Sequence, residues 1–129
     1  FPQGEARIGV QICRELRYPE QWGWLARQGA QVILHLNNAI GNARDRTIWR
    51  SMLVSRAAET GRFVLSANNG AEGRQGPTTA IAPDGHLLGE IAHRGKVVQV
   101  QVAVSRGGQV ALGAAQFVVL VFQLHLVLL

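Results

Sequence analysis

The chain has one cysteine, Cys13, one lysine, Lys96, and one tyrosine, Tyr18, in 129 residues. A single cysteine excludes an internal disulfide framework and any cysteine-rich zinc site. It makes a reducing, cytoplasmic compartment the expectation. The four histidines, His35, His86, His93 and His125, have no metal-ligand spacing, and no His-x-x-x-His pair occurs, so no metal is expected. Gly70, Gly73 and Gly76 fall in a loop and not between a strand and a helix. A dinucleotide fingerprint is therefore lacking, and no cofactor is implied. No basic stretch leads into an apolar run at the start, so no signal peptide is expected. Aromatic residues are only 6% of the chain, and none interleaves with basic ones to stack bases. The net charge of +5 is carried almost wholly by scattered arginines. It speaks to solubility and non-specific attraction, not to a nucleic-acid partner. Only Arg44, Arg46 and Arg50 cluster; they read as a solvated helix start, with recognition of a substrate carboxylate as the alternative.

What the chain does have is regular alternation of strand and helix signals. Ile8, Val10 and Ile12 alternate with Gly9 and Gln11, which predicts a strand. Pro19 suits the first turn of a helix and Glu20 its positive end. That helix carries Trp22, Leu25 and Ala26 and should stop near Gly29. "QVILHL", residues 31–36, reads as a buried strand, on which His35 is a satisfied core residue. "NNAIGNARD", residues 37–45, is a loop, and Asp45 or Thr47 is the expected cap of the next helix. Ile48, Trp49, Met52, Leu53, Arg56 and Ala57 keep the helical period up to Gly61. "RFVLSA", residues 62–67, is a third strand, and residues 68–76 are a flexible loop. "TTAIA", "HLLGEI" and "KVVQVQVAV" follow as strands, with a hairpin turn at Pro83-Asp84-Gly85. The order is β-α-β-α-β and then a meander, an α/β layer pattern. Trp22, Trp24 and Trp49 read as packing or dimer-contact residues.

Residues 110–129 stand apart. "VALGAAQFVVLVFQLHLVLL" approaches the length of a membrane span of about 20 residues. Gln116, Gln123 and His125 interrupt it and no basic anchor follows, which speaks against a membrane. A buried or dimer-contact segment, an out-of-frame or truncated terminus, and a membrane anchor all stay open.

Cys13 ends an apolar strand and precedes "RELRYPE". Free cysteine is among the most buried residue types, so a structural thiol is the plain alternative. A strand end that turns sharply into a helix, however, exposes the side chain and offers backbone N–H groups to an oxyanion. "GVQICRELRYPE" resembles the nucleophile segment of the carbon–nitrogen hydrolase (nitrilase) superfamily. "GAQVILHLNNA" is similar to that family's next strand and loop. "WRSMLVSRAAETGRFVLSANNGAE" looks like its following helix, strand and Asn-rich turn, and "GPTTAIAPDGHLLGEI" like its Gly-x-Ser/Thr hairpin. The likeness runs in register from about Gly9 to about Val104.

The resemblance implies an α/β fold that is part of a four-layer αββα sandwich, with the N-terminal half absent. Residues 1–109 would be the C-terminal part of a carbon–nitrogen hydrolase domain, and 110–129 an apolar tail. Cys13 would attack the carbon of a small-molecule amide, nitrile or carbamoyl substrate, and the backbone N–H of Arg14 would face the oxyanion. Tyr18 and Glu20 would shape the elbow and do no chemistry. Asn38 lines the pocket or is a plain turn former. The family's triad is Glu-Lys-Cys, with both partners tens of residues before the cysteine. Here only twelve residues precede Cys13, Glu5 is too near it, and Lys96 lies far downstream. The chain alone is therefore expected to have little amidase activity, and strand Ile8–Ile12 to expose a face or edge that the absent half covers. A homo-oligomer is implied. The competing reading is a degenerate or truncated module that serves in binding or protein interaction without catalysis.

Overall fold

A computed structural model describes residues 2–3, 6–68, 76–91, 99–105 and 117–123. A short strand β1 (Pro2–Gln3) pairs antiparallel with β2 (Ala6–Ile12). A 3₁₀ turn over Cys13–Arg17 leads into helix α1 (Pro19–Arg27), with Pro19 in its first turn. Strand β3 (Val32–Asn37), helix α2 (Ala43–Thr60) and strand β4 (Phe63–Asn68) follow. β2, β3 and β4 are parallel neighbours; β5 (Thr78–Ile81) and β6 (Leu87–Ile91) extend the sheet antiparallel, giving the order β1-β2-β3-β4-β5-β6. Two successive crossovers stepping in one direction along a sheet put both helices on one face, because such connections share one hand. The main core bears this out: Trp22 from α1 and Leu53 and Ala57 from α2 pack on Ile33, Val64 and Ile81.

The sheet is therefore one layer with a helical layer on one face. The alternation in β2 works against its hydropathy. Gly9 and Gln11 face the helices, while Val10 and Ile12 stand 37% and 59% exposed on the opposite face, beside Leu36 at 48%. Gly9 suits that face, since a Cβ would lie 3.1 Å from Leu25 Cδ1, a tight contact. The expected exposed face of strand Ile8–Ile12 is thus present.

Three details depart from the local reading. The cap of α2 is Asn42, earlier than Asp45 or Thr47. Its side chain accepts from the N–H groups of Arg44 and Asp45, and the Asp45 carboxylate accepts from Asn42 N–H at 2.8 Å. Asp45 is thus the third residue of a reciprocal capping pair. Arg46 and Arg50 are not simply solvated: both bond the Glu90 carboxylate on β6 and tie α2 to the meander. Burial pushes the Glu90 carboxyl up, but the hydrogen bonds and charges of Arg50 and Arg46 outweigh it and hold its pKa low. Seven residues of the apolar tail form a strand: β8 (Phe117–Gln123) pairs antiparallel with β7 (Gln99–Ser105). Residues 69–75 of the loop expected to be flexible, and the start of "KVVQVQVAV", lie outside the described residues. Among the described residues no helix is long and apolar enough to cross a membrane.

Gly76 gives a direct test of packing behind β4. A Cβ there would press on Asn37 Oδ1 and come within 2.9 Å of Ala39 Cβ and Asn68 Nδ2. The glycine is buried. Gly76→Ala is expected to cost about 1–3 kcal/mol, the range for overpacking, as a lower urea midpoint at unchanged slope.

Candidate active site

The chain leaves β2 through a single residue. Cys13 has φ +49°, and among the described residues it is the one non-glycine in the left-handed region. A side chain there costs about 1–2 kcal/mol and persists only where the surroundings hold it. Several groups do so. The Glu15 carboxylate reaches back to accept the Ile12 N–H at 2.5 Å. The Glu15 carbonyl accepts the Trp22 indole N–H at 3.0 Å and the Tyr18 N–H at 3.1 Å. Leu16 is fully buried, and its carbonyl accepts from Nε of Arg56, itself buried on α2, at 3.1 Å. Cys13 sits half-buried at the tip.

Beneath the elbow lies His35, fully buried on β3. Its ring is flanked by Trp22 and Trp49, with centroids 5.9 Å and 6.0 Å away. Nε2 is 3.0 Å from the Cys13 carbonyl oxygen and Nδ1 is 3.0 Å from Ser66 Oγ. A carbonyl only accepts, so Nε2 carries the hydrogen. In the neutral ring Nδ1 then accepts, and the Ser66 hydroxyl donates to it. The Ser66 oxygen is free to accept from Asn37 Nδ2 at 3.2 Å, and that amide also donates to the Ala67 carbonyl at 3.1 Å. The bonds run one way, from Asn37 to Ser66 to His35 to Cys13. The satisfied core histidine expected from the sequence is thus present, linked to Cys13 and to Ser66 and Asn37, which the sequence did not single out.

Burial lowers the pKa of His35, opposed by the bond to the Cys13 carbonyl and by the Glu15 charge. The unfolded chain takes up a proton near pH 6.5; the folded chain does so only at lower pH. Between those two values the unfolded state binds more protons, so stability rises with pH. The urea midpoint is expected to fall as pH drops below about 6.5, and His35→Gln to flatten that part of the profile.

Parallel strands bring their carboxyl ends to one edge, where open α/β sheets bind ligands. Ile12 pairs with Leu36, and Asn37 with Asn68, so Cys13 and the loop after β3 share that edge. Asn37 Oδ1 and Asn68 Oδ1 both accept the Ala39 N–H, at 3.1 Å and 3.0 Å, and Asn68 Nδ2 donates to the Gly76 carbonyl at 2.8 Å. Asn38 itself is exposed, with its neighbours pinned on both sides. Arg14 is exposed as the second residue of the 3₁₀ turn, Tyr18 is exposed at the break before α1, and Glu20 is exposed in the first turn of α1. Of the acidic residues near the elbow, it is Glu15 whose side chain bonds the strand end. Its spacing three residues after Ile12 was the available signal. No cluster of His, Cys, Asp or Glu that could hold a metal occurs among the described residues.

A model of the carbon-nitrogen hydrolase family matches residues 1–112. The chain belongs to that family. Among curated relatives, a protein named hydrolase in agr operon from Staphylococcus aureus is 30% identical over 95 residues, 70% of this chain and 36% of the relative. A deaminated glutathione amidase from Dictyostelium discoideum is 28% identical over 90 residues, 66% of this chain and 31% of that protein. A mutant of an amidase from Nesterenkonia sp. AN1 matches with a TM-score of 0.61 at 27% identity, over 70% of this chain and 37% of the other; in that mutant acrylamide has added to the active-site cysteine. The C. elegans NitFhit protein gives 0.60 at 26% identity, over 70% of this chain and 23% of its own. The carbon–nitrogen hydrolase chain described here thus spans a little over a third of its S. aureus relative, and its mixed α/β sheet and helices match the nitrilase-superfamily amidases.

Proposed function

We propose that Cys13 is the nucleophile of an amide- or nitrile-hydrolysing site and that residues 1–109 are the C-terminal part of the hydrolase domain. One observation carries this: the sole cysteine occupies a left-handed elbow at a strand's carboxyl end, a conformation a structural thiol has no need of. The thiolate adds to the amide carbon and forms a C–S bond while the carbonyl oxygen takes the negative charge. The Arg14 N–H donates to that oxyanion. Collapse breaks the C–N bond and releases ammonia or an amine with a proton, leaving a thioester. Water then cleaves the thioester to the acid and frees the thiol. Tyr18 and Glu20 shape the turn, and Asn38 lines the approach at the same edge. The outer helix faces, where Trp24 and Ile48 are exposed, suit contact between copies.

A general base and a lysine are needed for full rate, since members of such a set act as a unit. The Glu and Lys expected from family resemblance have no counterpart before Cys13 here. This chain by itself is therefore read as an incomplete hydrolase. A non-catalytic binding module is the second reading, favoured by the apolar face that Val10, Ile12 and Leu36 leave exposed.

Alkylation separates the two. The native chain, treated with acrylamide or iodoacetamide at neutral pH, is expected to gain one adduct at Cys13 by peptide mass spectrometry. Labelling only after denaturation would leave the thiol structural and favour the second reading. Hydrolysis of a simple amide by these residues alone at an enzymatic rate, lost on Cys13→Ala, would overturn the incompleteness.

A further inference from the structure

The elbow has one peptide unit that matters twice. The Cys13 carbonyl and the Arg14 N–H belong to the same planar trans group, so they point in opposite directions. The carbonyl is turned into the core, where His35 Nε2 donates to it at 3.0 Å. Its N–H partner is then directed outward, toward the exposed side on which Arg14 stands.

We propose that His35 is a positioning residue: its bond to the Cys13 carbonyl sets the orientation of the oxyanion N–H and holds the cysteine in its left-handed conformation. The inference rests on the reading of Cys13 as nucleophile. Three observations support it. The ring is fully buried and flanked by Trp22 and Trp49, which restricts its rotation. Its tautomer follows from the Cys13 carbonyl, which can only accept, and both the Ser66 hydroxyl and Asn37 Nδ2, 3.0 Å and 3.4 Å from Nδ1, can donate to that nitrogen. The remaining anchors of the elbow, at Ile12, Glu15 and Leu16, grip the chain on either side of the Cys13–Arg14 peptide and leave its rotation to His35. With Nε2 committed to a carbonyl, His35 is not the general base. Its function is to fix geometry in the manner of a buried, fully satisfied polar network.

The test uses the 129-residue chain with His35→Leu and His35→Gln. Leucine fills the site but has no donor. Glutamine can present an amide N–H near the position of Nε2. Both variants are expected to melt lower. The rate at which p-nitrophenyl acetate acylates Cys13 at neutral pH, a reaction that passes through a tetrahedral oxyanion, should fall about tenfold or more in His35→Leu, the worth of one lost buried hydrogen bond. His35→Gln should stay within about threefold of the parent. Equal rates in the two variants, or an unchanged rate in His35→Leu, would overturn the proposal, since a role in stability alone predicts no such split. Should the variants fail to fold, the parent chain decides: ¹⁵N histidine NMR is expected to find the His35 proton on Nε2, and a proton on Nδ1 alone removes the bond on which the proposal stands. A parent thiol that is inert until denatured instead sinks the nucleophile reading, whatever the tautomer.

Discussion

Trp22→Ala is expected to leave the chain largely unfolded at room temperature. Trp22 heads the fully buried side chains and joins Leu16, Ile33, Leu53 and Val64 in the main core. Truncating a buried tryptophan typically costs about 3–5 kcal/mol. Two further losses fall on the same site. The indole N–H no longer satisfies the Glu15 carbonyl at 3.0 Å, worth about 1 kcal/mol. His35 also loses one of its two flanking rings, which opens a buried imidazole toward water. Against a domain stability of about 5–15 kcal/mol, the sum is decisive for a chain with so much apolar surface exposed on its other face. Circular dichroism with urea titration would check it. Trp22→Phe, which keeps most of the ring and loses the N–H, should cost about 1–2 kcal/mol. A Trp22→Ala chain that melted like the parent would mean that the elbow and helix α1 do not depend on this core.

Cys13→Ala is expected to abolish covalent labelling while leaving the fold in place. In any longer form of the protein that turns over an amide, it should cut the rate by about ten-thousand-fold or more, the scale seen when a nucleophile is removed from a set that works as a unit. Stability should respond in the opposite sense to the usual small-residue rule. At φ +49° an alanine carries the same backbone strain as the cysteine, and glycine carries none. Cys13→Gly is therefore expected to be about 1 kcal/mol more stable than Cys13→Ala. Urea midpoints of the two variants, measured side by side, settle this. Equal midpoints would mean that the left-handed turn stores no strain. A glycine variant more stable than the alanine variant is what a strained backbone at this position should give.

The two substitutions probe one construction from opposite ends. Trp22 supports the elbow from below, through Glu15 and His35, and Cys13 is what the elbow presents. Between them runs the one-way chain of hydrogen bonds from Asn37 through Ser66 and His35. Its members come from β3 and β4, and they meet the elbow because β2 lies beside β3 in parallel register. The Arg46–Arg50–Glu90 cluster does a separate task at the far edge, where two guanidinium groups share one carboxylate of 16% exposure and fix α2 against β6.

Much of this was legible in the linear chain wherever the cause is local. Pro19 opened α1, Gly61 with its left-handed φ closed α2, and Pro83-Asp84-Gly85 made the hairpin, because backbone freedom is a property of the residue itself. Cys13 stood out for the same reason, as the one thiol at the end of an apolar strand. The cap of α2 was misplaced by a few residues, since Asn42, Asp45 and Thr47 are all competent caps and only the folded loop selects among them.

Tertiary structure alone decided which face of β2 is the inside. Hydropathy favours Ile8, Val10 and Ile12, yet the helices cover Gly9 and Gln11, because α1 must approach closely enough to seat Leu25 over a residue without a Cβ. It alone decided that Arg46 and Arg50 reach Glu90, some 40 residues on, and that Arg56 holds Leu16 across a similar span. It alone turned His35 from an ordinary core residue into the partner of the Cys13 carbonyl. The sequence by itself could single out Cys13 as the candidate nucleophile, because a thiol sulfur belongs to one residue. It could not name what aims that atom, because aim is set by bonds between residues 22 and 31 positions apart, and only the register of parallel strands brings those together.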